Sequence, residues 1–517
     1  MDYASLYLAV FCGALALPPV FLFSRFLYTR IEPHVRVGVA HFKYSRLTFR
    51  GMSVGFSGLG LSVLVIYMVA NALLLGIGSK GMEDLEKRSA TVAAANLMLV
   101  FLGGKTNPLA DLVRIPLASY YLVHRCVAVI ATVEALLHSG LILYRRPVFD
   151  ASTKSGTISA RAGIPVYVSC GLLGSTHLYR LIRMFLLSRT RATVEKRWDK
   201  DNVVHLKLAT DKPVTVFPGC YFYVFFNGPL PFGDLFHGYA MTPFWGRPKQ
   251  FINGKASDLT FLMTRTGHHA NSLGSVSSGD SLRLDGPYGR DLRLYRFETV
   301  VLTAKGMGIV GVLPFALQLA GRRRRDDEAR SRHARLRDSS EPVFADFSRN
   351  VDLIWWLEHN DQDQWVTDQL RSLQELDSQN LLVVWCVYPK RKKGSKPFEK
   401  NAYWSTRSNF GFDSFSRELR QEARYPGETI VVASGEAKFV DRIRNIVLQN
   451  ITSKRSIQFT NVDFVASPVS PSYPADDRPE SQVALVNPNK NKDAHSNIMD
   501  VEMDIVDQRA RRITHIV

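Results

Sequence analysis

Two long stretches without a charged side chain constrain this sequence more than any other feature in it. Ala4–Ser24 runs for 21 residues and Gly51–Ser79 for 29 with no Asp, Glu, Lys or Arg. Either is long enough to cross a hydrocarbon core of roughly 30 Å. No Lys or Arg precedes the first stretch, whose leading charge is Asp2, so it reads as a retained span rather than a cleaved secretory signal. Three more candidates follow: Ser89–Gly104, Ile115–Tyr144 and Gly163–Leu187. The loop after the first span carries Arg30, Arg36, Lys43, Arg46 and Arg50 against Glu32, which puts it in the cytosol and the N-terminus outside. Five crossings then return the chain to the cytosolic side at the basic run Arg189, Arg191, Lys196 and Arg197.

Beyond about Arg197 the texture changes. Val203–Leu208, Cys220–Phe226, Leu259–Met263 and Ser281–Leu284 are short alternating or apolar runs separated by Pro/Gly turns, the pattern of a small antiparallel barrel. From Thr299 it becomes strand, glycine turn, helix, with further strands at Val351–Trp356, Leu381–Tyr388 and Thr429–Ser434, which predicts a parallel α/β sheet. The fold class expected is therefore an α-helical transmembrane bundle, then an antiparallel β-barrel, then a parallel α/β domain. The expected boundaries are 1–190, 195–292 and 297–466, with a basic insertion at 321–340 and a disordered tail at 467–517. A content of 46% hydrophobic and 22% charged residues excludes wholesale disorder, collagen and coiled coil. The five cysteines form no CxxC pair, so no disulfide framework, zinc site or iron–sulfur site is readable.

Two constellations carry chemistry. His124 and His138 stand fourteen residues apart in the fourth apolar run. On a helix that is roughly 21 Å along the axis and about 40° around it, so the imidazoles share a face. Polar groups at membrane depth are costly without partners, and haem iron accepts axial imidazoles. The plainer alternative, hydrogen bonding to neighbouring helices, stays open on these residues alone. Gly306, Gly308 and Gly311 have GxGxxG spacing between a strand and a helix, where backbone N–H groups can hold a pyrophosphate. Tight packing is the competing explanation.

The order of these features, with Asp285-Gly-Pro-Tyr-Gly289, Pro314 after the glycine turn, and Ser434-Gly435-Glu-Ala-Lys-Phe-Val440, resembles the fungal ferric-chelate reductases and their NADPH oxidase relatives, whose cytosolic half resembles ferredoxin–NADP reductase. The resemblance runs from about Ser89 to Phe464. It implies FAD on the barrel, NADPH on the α/β domain and haem in the membrane, with electrons passing to ferric chelates outside the cell in iron uptake. By position it implies flavin contacts at Pro243, Phe244 and Trp245, cofactor contacts at Gly286, Pro287, Tyr288 and Gly289, nucleotide contacts at Gly306, Gly308 and Gly311, a nicotinamide-side pair at Ser434 and Gly435, and haem ligands at His124 and His138. This sequence departs from the family pattern at Thr242, where histidine is usual, at Lys305, where glycine is usual, and at Ser434, where cysteine is usual. No second histidine-bearing helix is found between Tyr144 and Gly163. The resemblance further implies a plasma-membrane protein with its soluble domains in the cytosol, while homo-oligomerisation stays open. Two other readings also stand: a non-catalytic membrane homologue, and a flavin reductase without haem that delivers electrons on the cytosolic side.

Other features fit plainer roles. The run from Arg322 to Arg337 is expected as a solvated loop, and without interleaved aromatics it argues against nucleic acid as a partner. Trp355, Trp356 and Trp365 are expected to pack beneath the sheet. His268 and His269 are expected in a surface turn.

Overall fold

The computed structural model describes residues 33–49, 52–101, 117–145, 175, 178, 182, 190–200, 203–225, 239–244, 254–264, 276–336, 344–390, 396–408, 410–422, 427–452 and 456–462. The first apolar run, most of the fifth, Trp245, the His268/His269 turn and the tail lie outside these.

Helix α1 (Pro33–Tyr44) is followed by a hairpin of β1 (Arg46–Phe49) and β2 (Met52–Ser57), then α2 (Gly58–Gly76), α3 (Met82–Phe101) and α4 (Leu117–Arg145). The expectation that Gly51–Ser79 is one continuous span is corrected at its start. Ser57 caps the helix by accepting a hydrogen bond from the Gly60 N–H at 3.2 Å, so the residues before it pair as strand. The 19 residues left reach about 28 Å, still a bilayer core. Val63, Ile66, Met68 and Leu73 on α2 face outward, as lipid contact requires. Among the described residues, Gly58–Gly76 and Val123–Ile142 are long and apolar enough to cross a membrane. The run at Ser89 belongs to α3, whose first turns carry Glu83, Asp84, Glu86, Lys87 and Arg88.

The three helices meet through polar side chains. The Tyr67 hydroxyl donates to Asn96 Oδ1 at 2.5 Å, and Asn96 Nδ2 donates to Asn71 Oδ1 at 2.8 Å and Glu134 Oε2 at 2.7 Å. Asn71, Asn96 and Glu134 are all buried. Small side chains at Ala93, Ala95 and Ala131 let the backbones of α3 and α4 approach.

The first soluble sheet contains β3 (Arg191–Lys200), β4 (Val203–Thr215), β5 (Cys220–Phe225), β6 (Tyr239–Met241), β7 (Lys255–Thr264) and β8 (Ser281–Gly289). Its order is β6-β5-β8-β3-β4-β7, all antiparallel. Phe244, three residues past β6 at one edge, exchanges both backbone hydrogen bonds with Thr260 of β7 at the other edge. That bridge closes the sheet into a barrel. The basic run at Arg191–Arg197, read as a juxtamembrane segment, is strand β3, with Ala192 and Val194 turned into the core.

The second sheet is parallel: β9 (Thr299–Lys305), β10 (Asn350–Trp356), β11 (Leu382–Val387), β12 (Trp404–Arg407), β13 (Thr429–Ser434) and β14 (Ile457–Asn461), in the order β12-β11-β10-β9-β13-β14. Helices α5 (Ile309–Leu336), α6 (Thr367–Leu376), α7 (Phe412–Glu422) and α8 (Ala437–Asn450) connect its strands. One apolar core continues from the barrel under α5 into the sheet, and a second lies beneath α7 and α8. Trp355 and Trp365 are buried in the first, while Trp356 lies against Phe410, Phe412, Phe415 and Phe439.

The expected loop at Arg322–Arg337 is instead helix as far as Leu336. After Gly321 the segment holds no Gly or Pro, and its charges pair at helical spacing, Arg323 with Asp327 and Arg324 with Glu328. Arg322 is clamped rather than solvated. Its guanidinium donates to Asp346 at 2.5 and 2.7 Å, lies over the rings of Phe344 and Tyr295, and is 15% exposed.

Two predictions follow from burial. Arg322→Ala should destabilise the full-length protein by about 3 kcal/mol, because it strands a mostly buried carboxylate, whereas Arg324→Ala, in a solvated pair, should cost less than about 1 kcal/mol. Equal shifts in denaturant midpoint would contradict this. In detergent, Asn96→Ala removes all three interhelical hydrogen bonds and should cost roughly 2 kcal/mol, measured as a lowered melting temperature of the helical region.

Candidate active site

The parallel sheet reverses its direction of growth between β9 and β13, since β10, β11 and β12 lie on one side of β9 and β13 and β14 on the other. Ligands of open α/β sheets bind in the crevice at the carboxyl ends of such a pair. The glycine turn occupies that place. Gly306–Gly308 forms a single 3-10 turn between β9 and α5, with Gly306 at φ +52°, a conformation that glycine adopts without strain. The indole of Trp355 donates to the Gly306 carbonyl at 2.9 Å, and α5 then opens at Ile309, whose own N–H is taken by the carbonyls of Gly306 and Met307.

Close packing explains two of the glycines. A Cβ on Gly308 would overlap the carbonyl of Ser434, and one on Gly311 would overlap the Ser434 hydroxyl. Ser434 ends β13, is wholly buried, and its Oγ has no hydrogen-bond partner among the described residues. Its side chain lies against Gly311 beneath the turn, while Gly435 sits between Lys305 and Phe439. Lys305, where the family pattern has glycine, forms an ion pair with Glu436 at 2.5 Å across the crevice. Glu358, just past β10, places its carboxylate at Gly306: a Cβ there would be 2.6 Å from Oε2. That carboxylate was not singled out from the sequence, because the sheet pairing that brings it to the turn joins positions some fifty residues apart.

The structure divides the expected flavin residues. Thr242, Pro243 and Phe244 are buried at the barrel seam, so Phe244 contributes its backbone there and its ring to the core. Gly286 lies against Phe222 and Gly289 against the Gly219 carbonyl. Tyr288 belongs to an aromatic cluster on the outer face of the barrel. It stacks on Tyr221 at 5.7 Å, meets Tyr223 edge-on at 5.4 Å, and donates to Asp285 Oδ2 at 2.7 Å. The alternation Tyr221, Tyr223, Phe225 was the sequence signal for this face. Burial pushes the Cys220 thiol up to about 12 and, with Asp363 beside it, raises the Tyr388 hydroxyl well above its ordinary value, so neither serves as an acid or base near neutral pH.

In the membrane half, His124 is partly buried on α4 and His138 Nδ1 lies 2.9 Å from the Glu86 carbonyl of α3. Donation by Nδ1–H leaves Nε2 as the lone-pair nitrogen, the tautomer that an axial ligand needs. The described spans offer no imidazole opposite either ring, and no group of three metal-ligating side chains exists among the described residues.

Residues 89–189 match the family model of the ferric reductase like transmembrane component. The chain carries a ferric reductase-like membrane domain. That match and the two apolar helices together mark a membrane-spanning region. None of the curated proteins matches the chain. Among solved structures, the flavohemoglobin from Malassezia yamatoensis with bound FAD and heme is 13% identical at TM-score 0.36, over 78% of this chain and 92% of that one. The CS-b5R domains of human Ncb5or are 17% identical at TM-score 0.35, over 52% and 68%. A ferredoxin NADP+ reductase from Neisseria gonorrhoeae with bound FAD and NADP is 13% identical at TM-score 0.35, over 53% and 98%. The fold assignment itself rests on the strand orders and registers given above.

The close approach of β13 to the turn yields a stability test. Gly308→Ala should destabilise the full-length protein by roughly 3 kcal/mol, because the clash is with backbone that cannot rotate away. An unchanged melting temperature would show that β13 stands farther from the turn.

Proposed function

We propose that this chain is a flavin-dependent membrane reductase that takes electrons from a reduced nicotinamide dinucleotide at the cytosolic face. The observation that carries the reading is the Gly306–Gly311 turn at the switch point of a parallel sheet, joined through a barrel to a ferric reductase-like membrane domain. The turn's backbone N–H groups and the start of α5 hold the pyrophosphate. Gly435, between Lys305 and Phe439, leaves the crevice open for the nicotinamide, and buried Ser434 supports the turn from below rather than reaching the reacting carbon. The barrel seam at Pro243 and Phe244 and the tyrosine face at Tyr221 and Tyr288 form the wall for FAD. Bound there, FAD supplies the conversion of a two-electron hydride donor into one-electron transfers.

Ferric chelates outside the cell are the acceptor we favour, on the family resemblance, with the bilayer as the chain's environment, the plasma membrane as its location and the soluble half in the cytosol by its basic loops. Nucleic acid is not among the partners we propose. His138, with Nδ1 held by the Glu86 carbonyl, and His124 would be the haem ligands. That no imidazole stands opposite either ring among the described residues favours a second reading, in which the flavin passes its electrons to an acceptor on the cytosolic side; a homo-oligomer that completes the site is a third arrangement.

The test is a visible spectrum of the purified full-length protein, followed by anaerobic addition of reduced nucleotide. Flavin bleaching with a shift in haem bands, and chelate reduction on the far side of proteoliposomes, is the expected result. Flavin bleaching without haem selects the cytosolic reductase. A protein that binds no flavin overturns both.

A further inference from the structure

We propose that Glu358 makes the dinucleotide pocket selective for NADH over NADPH. The proposal rests on reading the switch point as a dinucleotide site and concerns which dinucleotide enters it.

In doubly wound sheets the strand beside the glycine turn presents the residue that reads the adenosine ribose. A carboxylate there accepts from the 2′-hydroxyl, and a 2′-phosphate calls for a cation instead. Here that strand is β10, parallel to β9 and in register with it through Trp356 opposite Lys305. Glu358 is two residues further on, and its Oε2 occupies the space above Gly306. The carboxylate is aimed. Gln362, 3% exposed, accepts from the Glu358 N–H through Oε1 at 2.7 Å and donates from Nε2 to Glu358 Oε2 at 3.3 Å. Trp355 fixes the Gly306 carbonyl on the other side. No ion pair neutralises Glu358 among the described residues, and Lys305, at the end of β9, pairs with Glu436 instead. A 2′-phosphate brought to this position meets like charge at short range, whereas a 2′-hydroxyl meets an oriented acceptor.

One feature pulls the other way. The backbone N–H of Lys390 reaches Asn360 Oδ1 at 3.4 Å, so the basic run that begins at Lys390 starts beside the same loop. Glu358 is nearer the glycine turn and held by Gln362, which is why we assign it the selective role.

The experiment uses the full-length protein loaded with FAD and reads flavin reduction by NADH and NADPH, with binding of 5′-ADP and 2′,5′-ADP measured separately by calorimetry. The expected wild-type result is at least a tenfold advantage for NADH, carried mainly in KM, and the same order for 5′-ADP. Glu358→Gln keeps the contact with Gln362 and should shrink the advantage severalfold by improving NADPH. Glu358→Arg should reverse it. A wild-type preference for NADPH, or an unchanged ratio in Glu358→Gln, would overturn the proposal while leaving the dinucleotide site standing. If neither nucleotide reduces the flavin and neither ADP binds, the reading of the site fails and the proposal fails with it.

Discussion

The approach of the Ser434 carbonyl to Gly308 is the constraint on which the nucleotide end of the molecule depends. Parallel pairing of β9 with both β10 and β13 draws three strand ends into one place, and the chain between β9 and α5 must pass over them with no side chain in the way. Gly308 and Gly311 permit that passage, and Gly306 turns the backbone so that Trp355 can hold its carbonyl. The same geometry starts α5 at the carboxyl ends of β9 and β13. Packing and ligand binding are therefore two uses of one arrangement: the glycines are required by the fold, and the backbone N–H groups of the same turn suit the proposed pyrophosphate.

The barrel shows a comparable economy. Its outer strands β6 and β7 are joined by the backbone of Phe244, so the segment that resembles a flavin motif is also the seam of the sheet. A change of backbone conformation at Pro243 or Phe244 would open the barrel as well as disturb a ligand lying along it.

Much of this was legible in the residues. Uncharged length marked α2, fourteen-residue spacing put His124 and His138 on one helix, and the Pro/Gly turns separated barrel from α/β sheet. The misreadings had local causes. Strand β3 alternates small apolar with charged residues, and its Arg and Lys outweighed Ala192 and Val194. The arginine run on α5 looked solvated because its partners, Asp346 and the ring of Phe344, come from another segment. Glu358 at the glycine turn and Asn96 between Tyr67 and Glu134 were invisible for the same reason: each matters through a neighbour that only tertiary structure supplies. Asn96 in particular meets part of the cost of burying Glu134, by donating to Oε2.

Helix α1 extends these relations to the joint between the two halves. Ala40 is buried in the core beneath α8, and Tyr44 meets Phe459 of β14 edge-on at 6.0 Å. A helix that leads directly into the hairpin before α2 is thus packed on the edge strand of the parallel sheet. A displacement of that edge would be passed along α1 to the hairpin at the foot of α2.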